Sequence, residues 1–109
     1  MSAASSYRIV KSITEGLYRE KGSKFLAFVI PCDNAADAKK HLDGFWKKHP
    51  GAVHVCYAWR FGKSKFEDRI SDDGEPSGSA GKPIFGQIIS FDLTNVLIAV
   101  VRYYGGTNL

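Results

Sequence analysis

The chain has 109 residues, 44% hydrophobic and 13% aromatic, with a formal charge of +4. That length holds one domain with one core, and that composition excludes a disordered chain. No apolar run reaches the length of a membrane span and the polar residues 1–6 are no signal peptide, so no membrane contact and a cytoplasmic location are expected.

Residues 1–10 are expected to be a flexible N-terminus and 11–109 a single domain. Residues 7–13 alternate weakly and read as a short edge strand. Residues 17–20 and 24–32 read as a hairpin around Lys21-Gly22-Ser23. In its second arm Phe25, Ala27 and Val29 face one way and Leu26, Phe28 and Ile30 the other, so that strand is interior and covered on both sides. A helix follows. Asn34 is its N-cap with Asp37 three residues on, and Ala35, Ala38, Leu42 and Phe45 share its apolar face. Lys47, Lys48 and His49 suit its C-terminal end, and Pro50-Gly51 stops it.

Residues 53–61 alternate, with Val53, Val55, Tyr57, Trp59 and Phe61 on the core side and His54, Cys56, Ala58 and Arg60 on the other. Residues 62–65 are a basic turn and 66–71 a further short strand. Ile84, Phe85, Ile88, Ile89 and Phe91 predict a second helix with a wide buried stripe and Pro83 in its first turn. Residues 96–101 form an unbroken apolar run, a buried central strand that ends in Arg102-Tyr103-Tyr104-Gly105-Gly106. The order strands, helix, strands, helix, strand gives an α+β fold, a two-layer sandwich of one mixed sheet with helices on one side. Cys32 and Cys56 lie in apolar runs without a C-x-x-C pattern and read as reduced core thiols.

One stretch has no packing explanation. Residues 72–83 hold Asp72, Asp73, Glu75, Ser77, Gly78, Ser79, Gly81 and Lys82 with two prolines, and no apolar face runs through them. The loop feeds a helix N-terminus, where free N–H groups attract anions, so a phosphate-type ligand is one reading and a tight capping turn the other. It is not a Walker A loop, because Pro76 stands where the first Gly would be and Lys82 precedes Pro83. The carboxylates lack EF-hand spacing and no H-E-x-x-H is present, so no metal, cofactor or catalytic residue is assigned. Arg102 and Tyr103 with Gly105 and Gly106 form a second candidate, with Arg102 expected to pair with a loop carboxylate. His54 and Arg60 are possible contributors from the strand face opposite the aromatic row.

Charge separates the chain. Residues 1–69 carry thirteen Lys/Arg and seven Asp/Glu, and residues 70–109 two and four. The basic part is suited to nucleic acid; ordinary solvated lysines are the alternative, because no basic run exceeds two residues.

The stretch Ser71-Asp72-Asp73-Gly74-Glu75-Pro76-Ser77-Gly78-Ser79-Ala80-Gly81-Lys82-Pro83, with Val100-Val101-Arg102-Tyr103-Tyr104-Gly105-Gly106, resembles the N-terminal Impact domain of the IMPACT/YigZ family. Lys21-Gly22-Ser23-Lys24-Phe25 and His54-Val55-Cys56-Tyr57-Ala58-Trp59 are similar to weaker blocks of it. The resemblance implies a fold like the second domain of a small-subunit ribosomal protein and a link to translation. It also implies a further helix and a C-terminal ferredoxin-like domain, so a chain stopping at Leu109 is expected to lack both and to expose apolar surface. Three functional readings follow: a non-catalytic translation-linked module binding RNA, ribosome or a phosphate-type anion through 72–83 and 102–106; an enzyme on a phosphorylated or nucleotide substrate using Asp72, Asp73 and Glu75; and a protein-interaction domain with a purely structural loop. The first is favoured. The oligomeric state is not legible.

Overall fold

The computed structural model describes residues 8–20, 23–73 and 80–103. In chain order it forms β1 (Arg8–Ile9), β2 (Thr14–Glu20), β3 (Ser23–Pro31), α1 (Ala35–Lys48), β4 (His54–Phe61), β5 (Glu67–Ser71), α2 (Gly81–Ser90), β6 (Leu93–Thr94) and β7 (Val96–Tyr103). Five strands make one sheet in the order β2-β3-β7-β4-β5, and β1 pairs with β6 in a separate two-stranded ribbon. The expected α+β class is what forms. Arg8 and Ile9 fall inside the stretch expected to be flexible, yet pair in parallel with Leu93 and Thr94.

Two details differ from expectation. The five-stranded sheet is antiparallel at every described pairing, not mixed, because β7 threads between β3 and β4 and runs against both. The helices flank two faces, not one. Ala38 and Phe45 of α1 pack with Phe28, Ile30, Val55, Trp59, Leu97 and Val101. Ile84 and Ile88 of α2 pack with Cys56, Ala58, Val96 and Ile98. Successive strand residues point to opposite faces, so strands apolar at every position need a cover on each side. Cys32 and Cys56 are free and buried in these two different clusters, and burial pushes the Cys32 thiol above its usual pKa.

Local chemistry sets the helix starts. Asn34 Oδ1 accepts the Asp37 backbone N–H at 2.8 Å while Asn34 Nδ2 donates to Asp37 Oδ2 at 3.1 Å, which fixes the first turn of α1. Asn34→Ala is therefore expected to lower stability by about 1 kcal/mol, read as a shift in the urea midpoint at unchanged slope. The expected stripe of α2 is narrower than its sequence suggests: Ile84 and Ile88 are buried, but Ile89 is 45% and Phe91 52% exposed. Val53, expected in the core, precedes β4 and is exposed.

Candidate functional site

The site lies where β4 begins, β5 ends, α2 begins and β7 ends. The sheet register puts Phe25, Arg102 and His54 side by side on β3, β7 and β4. The Arg102 guanidinium lies 5.4 Å from the Phe25 ring centroid. All three face the α2 side by strand alternation.

The neck of the 72–83 loop is stitched shut by its own carboxylates. Asp72 Oδ1 accepts the backbone N–H of Gly81, the first residue of α2. A carboxylate thus already occupies the helix N-terminus, where the dipole favours negative charge. The Asp72 carbonyl accepts the Cys56 thiol at 3.3 Å. Asp73 sits at φ +51°, a left-handed conformation that Asp tolerates. Its Oδ2 accepts the Val55 backbone N–H at 2.8 Å and lies 3.7 Å from His54 Nδ1. His54 Nδ1 is 3.0 Å from the Asp73 carbonyl oxygen. A carbonyl only accepts, so Nδ1 is the ring nitrogen that carries the proton. The Ser71 hydroxyl accepts the Asp73 N–H at 3.2 Å. Gly81 is required by space: a Cβ there would lie 2.5 Å from Ile70 Cγ2 and 3.1 Å from the Ser71 carbonyl oxygen.

Not every residue singled out in the sequence gathers here. Asp72, Asp73, Gly81, His54 and Arg102 do, and Lys82 is exposed beside them. Tyr103 does not: alternation along β7 turns it to the α1 face, where its hydroxyl shares a hydrogen bond with His49 Nδ1 and Lys24 Nζ lies 4.4 Å from its ring. Arg60 stands near the far end of β4 and makes a two-point pair with Asp68, both bonds at 2.9 Å. Glu75, Ser77, Gly78, Ser79, Gly105 and Gly106 lie outside the described residues. Of the loop carboxylates expected to pair with Arg102, Asp72 and Asp73 engage Gly81, Val55 and His54, and Glu75 lies outside the described residues. Among the described residues no three of His, Cys, Asp or Glu converge as metal ligands.

Beside the start of α2 is a pocket of about 210 Å³ lined by Phe25, Cys56, Ala80, Pro83, Ile84, Val100 and Arg102. It shares Pro83, Ile84 and Val100 with an apolar groove of about 1070 Å³ that continues past Ala27, Val29 and Phe91. Sequence reasoning named Arg102 but missed the apolar lining. The signal was there in part, because alternation along β4 puts Cys56 on the same face as His54. Chemically the site offers a fixed neck, an exposed ammonium and an arginine at the end of an apolar pocket. Its described carboxylates are acceptors for the protein's own N–H groups.

Residues 21–109 match the Impact N-terminal domain. The chain belongs to that family. It is 38% identical over 88 residues to an IMPACT family member, YigZ, of Escherichia coli, an alignment covering 79% of this chain and 43% of that protein. Among solved structures it is similar to a hypothetical protein with a TM-score of 0.78 at 31% identity, over 90% of this chain and 48% of that one. It is also similar to the two-domain translational regulator Yih1, with a TM-score of 0.67 at 27% identity, over 96% of this chain and 42% of that one. The chain thus spans about half the length of these proteins or less. Among the described residues no helix is long and apolar enough to cross a membrane.

Proposed function

We propose that this Impact domain is a non-catalytic, translation-linked regulatory module that contacts RNA or the ribosome through its basic surface, with Lys82 adding a phosphate contact at the 72–83 loop. The observation that carries this reading is the engagement of both described loop carboxylates. Asp72 and Asp73 accept backbone N–H groups of Gly81 and Val55. A carboxylate oxygen used in this way holds a loop in shape, which supports a structural role for the pair. The likeness to a translational regulator supports the biological context, and the excess of Lys/Arg in residues 1–69 supports a polyanionic partner.

The test is binding of a fluorescein-labelled single-stranded RNA 20-mer, followed by anisotropy between 50 and 200 mM salt. Affinity is expected to fall steeply with salt, by a log–log slope of about 0.7 per phosphate contacted. Lys82→Ala is expected to reduce that slope by about 0.7 and to weaken binding without changing the melting temperature. Binding that is absent, or indifferent to salt, would sink the reading. The engaged carboxylates also fit a protein-interaction domain with a purely structural loop; on that reading Lys82→Ala changes no affinity at all.

A further inference from the structure

The face of the sheet opposite the 72–83 loop carries a second cleft. It lies between α1 and the β4–β5 edge, has a volume of about 390 Å³, and is lined by Lys39, Asp43 and Trp46 from α1 and by Tyr57, Trp59 and Arg69 from the sheet. Lys39, Asp43 and Trp46 come at spacings of four and three residues, so they share one helix stripe.

Three observations there bear on what the cleft can hold. First, Tyr57, Trp59 and Phe61 form a ladder along β4, with ring centroids 5.6 and 5.1 Å apart and interplanar angles of 19° and 14°. Trp46 on the helix side is 40% exposed, unusual for so large an apolar side chain. Second, Arg69 stands directly across from Trp59 in the β4–β5 register. Its Nε donates to the Tyr57 hydroxyl at 3.2 Å, and its guanidinium lies 5.9 Å from the Trp59 ring. Third, Trp59 is 7% exposed, and its buried indole N–H has no acceptor among the described residues. A buried donor is normally satisfied by protein, water or ligand.

Together these ask for an occupant that is flat, carries hydrogen-bond acceptors and is negatively charged nearby. We propose that this cleft binds one nucleotide unit of a single-stranded nucleic acid. Its base stacks against Trp46 and presents an acceptor to the Trp59 indole N–H. Its phosphate is held by Arg69 and Lys39. Aromatic platforms flanked by cations are how single strands are gripped without reading sequence, and the volume falls in the range of small-ligand pockets. Asp43 opposes the phosphate; it lies 3.7 Å from Lys39 in an exposed ion pair and competes for that ammonium. This proposal rests on the RNA-contact reading above and adds to it where a strand would sit.

The probe is an unlabelled single-stranded RNA decamer of mixed sequence, titrated into the protein while the fluorescence of Trp46 and Trp59, its only two tryptophans, is followed. A DNA decamer and the RNA duplex of the same sequence are separate arms. Quenching by both single strands and a downfield shift of the Trp59 indole N–H resonance are expected, with little effect from the duplex. Trp46→Ala is expected to weaken binding about tenfold, with Trp46→Phe recovering much of the loss. Arg69→Ala should reduce the salt slope by about 0.7. Asp43→Asn should tighten binding about twofold by releasing Lys39. If the decamer binds wild type and the Trp46 and Arg69 variants equally, the cleft is not the site, while the RNA-contact reading stands. An unmoved indole resonance at saturation, meaning that water alone satisfies the donor, overturns the proposal in the same way. If no single strand binds wild type, both fail together.

Discussion

Gly62→Ala is expected to cost about 3 kcal/mol, combining backbone strain with a steric collision. Gly62 follows β4 in the turn to β5 and sits at φ +111°, beyond the left-handed region that Asp or Asn tolerates. A Cβ there would lie 2.2 Å from the Lys65 carbonyl oxygen and 3.3 Å from its carbonyl carbon. Both are backbone atoms, so no side-chain rotation relieves the contact. The turn is also held from outside: the Gly62 N–H donates to Asn95 Oδ1 at 3.0 Å, and the Thr94 hydroxyl donates to the Gly62 carbonyl. Moving Gly62 would therefore disturb the β6–β7 corner as well. For a domain of this size the loss corresponds to a fall in melting temperature of roughly 12–24 °C. Gly44→Ala gives the opposite sign. Gly44 lies inside α1 with nothing within 4 Å of its added Cβ, so replacement should raise stability by about 0.5–1 kcal/mol. Comparable melting temperatures for the two variants would overturn the argument.

The parts of the fold written in the sequence are those fixed by near neighbours. The α1 start was legible because Asn34 and Asp37 satisfy each other within one turn. The two faces of β4 were legible because His54 to Phe61 alternates in sequence, but Cys56 and Ala58, set opposite the core side, are buried as well, under α2. What failed depended on distant partners. β6 and β1 exist only because two short segments far apart in the chain meet. The placement of both helices on one face contradicted the sequence's own statement that β3 is apolar on both sides. A strand apolar on both sides needs two covers, and α2 supplies the second. Tyr103 was grouped with Arg102 because they adjoin in sequence, whereas adjacent strand residues point apart. In the loop, the composition singled out Asp72 and Asp73, but composition carries no direction. Turned outward they would be ligands; turned inward they fasten Gly81 and Val55.

That direction can be tested at Asp73, where Ala and Asn substitutions separate a structural role from a chemical one. Asp73→Ala removes the acceptor of the Val55 N–H, a backbone donor on a residue only 2% exposed. It also places a side chain without local hydrogen bonding at φ +51°. Leaving a buried donor unpaired costs about 1–3 kcal/mol and the left-handed backbone about 1 more, so a loss of about 2–4 kcal/mol is expected. Asp73→Asn keeps an oxygen for Val55 and a residue type at home in that conformation, so it should cost less than about 1 kcal/mol. If Asp73 served as a metal ligand or a general base, Asn would abolish function as fully as Ala while leaving the fold intact. The inward geometry requires the reverse order. Asn should melt and bind RNA nearly as wild type, while Ala should lose stability first and binding only through unfolding. Urea melts and RNA titrations of the two variants decide it. A stable Asp73→Asn protein that has lost all RNA affinity would return the carboxylate to the ligand and withdraw the structural reading of the loop.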